Sequence, residues 1–172
     1  VEYDLSVGMT LAPIYRILFD LALKETLGGR KERRGNTYFI IDEASLLPNL
    51  VHLQDALNFG RSLGVKVVAG LQSITQFYDA YGEEKGKVIA AGFMNSFCFQ
   101  TWDLESRNFI SERFGANYQN LSNYYDGKPI ILQREGNVVE DWDILDLEVG
   151  EAFVNLTQKR GVRFKYKLPR FQ

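Results

Sequence analysis

The sequence predicts an α/β fold, and three observations carry that prediction. Apolar runs at Tyr38 to Ile41, Val65 to Leu71 and Ser96 to Gln100 are separated by stretches whose apolar residues fall at helical spacing. The first two runs show little polar alternation, as expected for strands covered on both faces in a mostly parallel sheet. After Gly115 the pattern changes to short strand-like segments separated by turn residues. Residues 1–116 therefore read as alternating strands and helices joined by right-handed crossovers, and residues 117–172 as mainly β-hairpins, all within one domain.

Composition narrows the class of protein. A chain of 172 residues with 45% apolar and 24% charged residues can bury a single substantial core. A net charge of -2 argues against a broadly basic nucleic-acid binder and leaves only local basic clusters. Cys98 is the only cysteine, which excludes a disulfide framework and points to a reducing compartment; it reads as a small core residue. His52, the only histidine, leaves too few soft ligands for a zinc site and suits the surface. No apolar run approaches the roughly 20 residues of a membrane span, so membrane attachment would need segments outside the sequence. The chain opens at Val1 with neither an initiator Met nor a leader, and reads as a piece cut from a longer polypeptide.

Taken in order, Val1 to Leu5 suits a strand, and Thr10 suits the N-cap of a helix with Leu11, Ile14, Leu18, Leu21 and Ala22 on its inner face. That helix ends near Gly28-Gly29. The basic turn Arg30-Lys31-Glu32-Arg33-Arg34 that follows is either a solvated turn or a DNA contact. After the strand ending at Ile41, a helix is expected from about Leu50 to Leu63, with Gly64 at its C-cap and the strand Val65 to Leu71 beyond it. Ser73 should cap a helix over 74–81, with a second over 83–91. The strand Ser96 to Gln100 leads to a helix capped by Asp103 and closed by Gly115. Ile130 to Gln133 and Val138 to Trp142 look like one hairpin. Ala152 to Leu156 and Val162 to Leu168 look like another, turning near Lys159-Arg160-Gly161.

The chemistry is concentrated at strand ends. Tyr38-Phe39-Ile40-Ile41 runs directly into Asp42-Glu43, and an unpaired carboxylate is too costly to bury, so both should lie at the strand tip. This is the Walker B arrangement of P-loop ATPases, in which the aspartate helps to hold Mg²⁺ and the glutamate activates water. Gln72 ends the next strand in the same way, and strand ends in open α/β sheets converge on one site. Arg61, near the end of a helix, suits a favourable interaction with the helix dipole. The stretch Gly82 to Val88 superficially resembles a phosphate loop, but its spacing is one residue short, it lacks Ser or Thr after the lysine, and no strand precedes it. Arg163, Lys165 and Lys167 alternate with apolar residues in the last strand. They form either a charge-protected edge or a cationic strip for the phosphate backbone.

These residues, in order, resemble a family. Phe39-Ile-Ile-Asp42-Glu43-Ala, Leu57-Asn-Phe-Gly60-Arg61-Ser-Leu-Gly64-Val, Gly70-Leu-Gln72-Ser73, Gln76 through Gly82, Asp103-Leu-Glu105 and Ile110 through Gly115 are similar to the coupling-protein ATPases of type IV secretion, the TraD/TraG/TrwB-like motors of bacterial conjugation. The likeness extends over nearly the whole chain. It implies a RecA-like P-loop NTPase sheet, mostly parallel with helices on both faces, in a homo-hexamer that uses ATP and Mg²⁺ to drive single-stranded DNA and its relaxase toward a secretion channel. The full-length protein would then work at the cytoplasmic face of the bacterial inner membrane.

By position, the resemblance makes Asp42 the Mg²⁺-binding aspartate, Glu43 the catalytic glutamate, Gln72 the γ-phosphate sensor and Arg61 a finger reaching into the neighbouring subunit's site. One departure is large. The Walker A motif Gly-x-x-x-x-Gly-Lys-Ser/Thr occurs nowhere in the chain. In the family its strand would sit between the strand ending near Leu71 and the one beginning near Ser96. The chain alone is therefore expected to bind ATP poorly and not to turn it over, and to self-associate or be marginally stable because of the slot in its sheet. A chromosome-partitioning or DNA-repair translocase of the same fold would share the Asp-Glu, arginine and glutamine positions but fits Tyr81-Gly82 and Ile110 to Gly115 less well. A non-catalytic interaction or oligomerisation domain of a DNA-transfer or secretion complex is the alternative of a different class.

Overall fold

The structure is a computed structural model that describes residues 8–28, 35–125, 128–157 and 159–165. The expected strand Val1 to Leu5, the basic turn 30–34 and Lys167 lie outside the described residues. The chain forms two compact units, Val1–Phe93 and Met94–Gln172.

In the first unit, helix α1 spans Gly8–Leu27, so Thr10 lies inside its first turn and does not cap it. Its inner side also differs from expectation. Leu23 is fully buried and Phe19 meets Phe39 edge-on, whereas Ile14, Leu18 and Leu21 are exposed. The helix is apolar on more than one side, so spacing alone could not choose the buried stripe. A polar clasp fixes the choice: Asp20 accepts the backbone N–H of His52 at 2.9 Å and meets its Nδ1 at 2.8 Å. His52, expected at the surface, is thereby half-buried.

Strand β1 (Thr37–Ile41) pairs in parallel with β2 (Val65–Ala69), in register from Thr37 opposite Val65 to Ile41 opposite Ala69. Phe39 and Ile41 face the core, while Tyr38, Ile40 and Val68 are 62%, 70% and 53% exposed. The sequence suggested cover on both faces; this pair has one face bare. Between the strands lie a short 3-10 turn (Ala44–Leu46), helix α2 (Leu53–Phe59) and a second 3-10 turn (Gly60–Leu63), so the single helix expected from 50 to 63 is divided. Gly64 closes the second turn at φ 73°, as its C-cap role requires. Helices α3 (Ile74–Tyr81) and α4 (Glu83–Gly92) follow, and the Ser73 hydroxyl accepts the N–H of Thr75 at 3.1 Å as the expected cap. Leu23, Leu50, Leu53, Phe77 and Ile89 form the fully buried centre, each contributing about 1.5–3 kcal/mol by burial.

The second unit contains β3 (Ser96–Cys98), α5 (Leu104–Phe114), β4 (Ala116–Tyr125), β5 (Lys128–Asn137), α6 (Asp141–Leu145), β6 (Glu151–Leu156) and β7 (Lys159–Lys165). Asp103 caps α5 by accepting the N–H of Ser106 at 3.0 Å. β3 pairs antiparallel with β6, which pairs antiparallel with β7. Simple alternation implied a parallel strand here. The β6–β7 hairpin was expected, although Lys159, Arg160 and Gly161 belong to its second strand.

The other expected hairpin is wrong. β5 pairs with β4, and residues 141–145 are helical instead of extended. The polar run Ala116 to Tyr125 hid a strand, because its pairing with β5 satisfies a backbone that its side chains do not advertise. The start of α6 was readable: Asp143 accepts the N–H of Glu140 at 3.0 Å, and Glu140 accepts that of Asn137 at 3.0 Å. Cys98 is buried with Ile110, Val139, Ile144, Leu147 and Phe153, and burial pushes its thiol up, in keeping with a core role.

Candidate functional site

The C-terminal ends of β1 and β2 are tied together by backbone. The N–H of Gly70 donates to Ile41 O at 2.7 Å, and the N–H of Ala44 donates to Gly70 O at 3.0 Å. A β-carbon at position 70 would collide with the carbonyl oxygen of Asp42, so only glycine permits this approach. The two clamps hold Asp42-Glu43 beside Gly70-Leu71-Gln72. Two of the sequence-predicted strand tips are thus brought together.

Asp42 and Gln72 are exposed, and among the described residues neither side chain has a protein partner. Glu43 is half-buried, and its Oε1 accepts the hydroxyl of Ser45 at 2.6 Å. Arg61 is exposed and stands before β2, at the opposite end from Gln72. Traversing β2 alone takes roughly 13 Å at a strand rise of about 3.3 Å per residue. Arg61 therefore does not join Asp42, Glu43 and Gln72.

The segment after Glu43 is held from two further sides. Tyr81, at the end of α3, donates its hydroxyl to Leu47 O at 2.6 Å, and the Asp20–His52 clasp secures the entrance to α2. Burial pushes the Tyr81 hydroxyl up to about 12; the backbone hydrogen bond from Leu50 opposes this rise and the Asp20 carboxylate adds to it. Since α3 begins directly after Gln72-Ser73, one helix connects the second strand tip to the loop behind the first.

Sequence reasoning missed Ser45, Gly70 and Tyr81 as parts of this arrangement. Gly70 could have been found, because a glycine ending an apolar strand marks a close backbone approach. The other two act through tertiary contacts that leave no local pattern.

The stretch Gly82 to Val88 is not a phosphate loop. It enters α4, where Gly86 packs against Tyr78 and Lys87 pairs with Glu83 at 2.6 Å, holding that carboxyl below its usual range. Among the described residues no group of three His, Cys, Asp or Glu could hold a metal ion, so a Mg²⁺ site would have to rely on fewer protein ligands. Arg163 and Lys165 lie in β7. No helix among the described residues is long and apolar enough to cross a membrane.

Comparison with known proteins decides the family. Residues 1–124 match the model of the type IV secretion-system coupling protein DNA-binding domain, well over half of the 172 residues. The chain belongs to this family. Similar solved structures include the bacterial conjugative coupling protein TrwBΔN70 in an unbound form, at 25% identity and TM-score 0.86 over 96% of this chain and 40% of that one. TrwB with the non-hydrolysable ATP analogue ADPNP matches at 25% identity and TM-score 0.78 over 96% and 39%. TrwB with ADP and Mg²⁺ matches at 25% identity and TM-score 0.78 over 97% and 39%. The coupling-protein chain described here thus spans about 40% of the length of the structures it matches. No match is found among curated proteins. Membership places the chain with the DNA-binding domains of type IV secretion-system coupling proteins.

Proposed function

We propose that this chain is the Walker B half of a RecA-like motor domain that hydrolyses ATP to move single-stranded DNA toward a type IV secretion channel. The observation that carries the reading is the backbone clamp at Gly70, which holds Asp42-Glu43 and Gln72 together at the ends of two parallel strands. The TrwB complexes with ADPNP and with ADP and Mg²⁺ support nucleotide chemistry in proteins of this shape.

The residues fit one side of a nucleotide. Asp42, exposed and without a protein partner among the described residues, would hold Mg²⁺; Glu43 would orient water and accept its proton; Gln72 would meet the γ-phosphate. Mg²⁺ bound there supplies charge neutralisation at the phosphate oxygens. The sequence contains no Gly-x-x-x-x-Gly-Lys-Ser/Thr, so the phosphate cradle would come from sequence outside this chain, on a strand inserted into the same sheet. The chain alone should therefore be inactive. The bare face of Tyr38, Ile40 and Val68 is consistent with a sheet completed by further structure.

Arg61 fits a finger offered to a neighbouring subunit, because its own Asp42 and Glu43 lie at the other end of the strand pair. A finger in trans requires an oligomer, which the family resemblance makes a hexameric ring. The relaxase-bound DNA strand, channel components and a position at the cytoplasmic face of the inner membrane complete the reading, with the membrane reached through segments outside this chain. Arg163, Lys165 and Lys167 would contribute to the DNA path. Reversing Lys165 and Lys167 should then lower DNA affinity and flatten its salt dependence; an unchanged slope would leave them as edge protection.

The decisive experiment is ATP turnover by the full-length protein and by the 172-residue chain. Glu43→Gln should reduce full-length turnover by about 10²-fold or more, and the chain alone should show none. Turnover by the chain that Glu43→Gln abolishes would overturn the half-site reading.

A further inference from the structure

We infer that Ser45 is a positioning residue for Glu43, fixing the carboxylate through its hydroxyl. The inference rests on the role proposed for Glu43. The geometry is specific: the Ser45 hydroxyl donates to Glu43 Oε1 at 2.6 Å, within the short range of bonds to a charged oxygen. With one lone pair of Oε1 engaged, Oε2 keeps both of its lone pairs to accept from water.

The backbone makes the contact persistent. Glu43 is the residue before the 3-10 turn Ala44–Leu46, and Ser45 is the middle residue of that turn. Ala44, between them, is buried and anchored by its N–H to Gly70 O at 3.0 Å. The N–H groups of Leu46 and Leu47 close the turn onto Glu43 O at 3.3 Å and Ala44 O at 3.2 Å. Beyond it, Tyr81 holds Leu47 O. The hydroxyl is thus carried by an element fixed at both ends, while Glu43 itself is half-buried with a side chain that could otherwise sample several rotamers. A general base is effective in proportion to the time it spends in the productive orientation, and a third group that orients it serves that end.

The test uses the full-length protein with ATP alone and with single-stranded DNA. Ser45→Ala should lower kcat about three- to tenfold, the equivalent of one lost hydrogen bond, with KM for ATP and the melting temperature unchanged. Ser45→Thr, which retains a hydroxyl, should restore most of kcat. In the Glu43→Gln background, Ser45→Ala should have no further effect on residual turnover. If Ser45→Ala leaves kcat unchanged or raises it, or if Ser45→Thr is as impaired as Ser45→Ala, the positioning role is wrong. A Glu43→Gln protein that still turns over ATP normally would instead remove the reading on which this inference rests.

Discussion

The two ends of the β1–β2 pair are built differently. At the C-terminal end, Gly70 draws the strands into contact, and polar residues emerge with little among the described residues to satisfy them: Asp42, Gln72 and, apart from Ser45, Glu43. At the N-terminal end the chain is closed by structure. Gly64 takes φ 73°, its carbonyl accepts the N–H of Thr37 at 2.8 Å, and Gly60 lies where a β-carbon would come within 2.9 Å of Val65. One end leaves Asp42 and Gln72 exposed; the other is a fold junction where Arg61 is exposed. Under the proposed function, the same two strands would serve two sites at once, supplying acids and a glutamine to their own and an arginine to another.

The largest expected effect would break this division outright. In the full-length protein, Arg61→Ala should reduce ATP turnover by about 10³-fold or more if it acts as a finger in trans. Mixing it with Glu43→Gln protein should restore activity, because some interfaces would then pair an intact arginine with an intact glutamate. Normal turnover by Arg61→Ala, or no recovery on mixing, would return Arg61 to the junction as a structural residue.

Next in size is the clamp at the open end. Gly70→Val forces a side chain against the Asp42 carbonyl, which cannot rotate away, and should cost about 3 kcal/mol in denaturant unfolding as well as abolishing activity. At the closed end, Gly64→Ala faces both a left-handed backbone and the nearby carbonyl of Gly35, and should cost roughly 1–2 kcal/mol. Its kinetic signature should differ: stability falls while kcat of the folded fraction persists. Equal loss of kcat in both variants would erase the distinction between the ends.

The smallest effect sharpens how the loop behind Glu43 is held. Tyr81→Phe removes the hydrogen bond to Leu47 O and should destabilise by about 1–2 kcal/mol. The folded hydroxyl lies at about 12 and an unfolded tyrosine near 10, so the folded state keeps its proton longer. Stability should be full below pH 10 and fall as pH rises from 10 to 12, and Tyr81→Phe should lose that contribution to the decline. An identical alkaline limb in the variant would show that Tyr81 is not the group responsible.

Much of this was legible in the sequence because it depends on local rules. The strand Thr37–Ile41, the caps at Ser73 and Asp103, the stops at Gly64 and Gly115 and the acids at the end of β1 follow from apolar runs, capping oxygens and the freedom of glycine. Residue order alone was also enough to suggest the coupling-protein family, which the match over residues 1–124 establishes.

Tertiary structure decided what local rules leave degenerate. α1 is apolar on several sides, and the Asp20–His52 clasp selected Phe19 and Leu23 as the inward residues over Ile14, Leu18 and Leu21. Ala116 to Tyr125 is too polar to advertise a strand, yet it pairs with β5 because backbone groups need partners whatever the side chains are. Sequence placed carboxylates and a glutamine at strand tips; only the parallel register of β1 and β2 and the close approach at Gly70 put those tips side by side. Spacing along a chain constrains neighbours within a turn or a strand, whereas a site joins residues whose distance is set by packing.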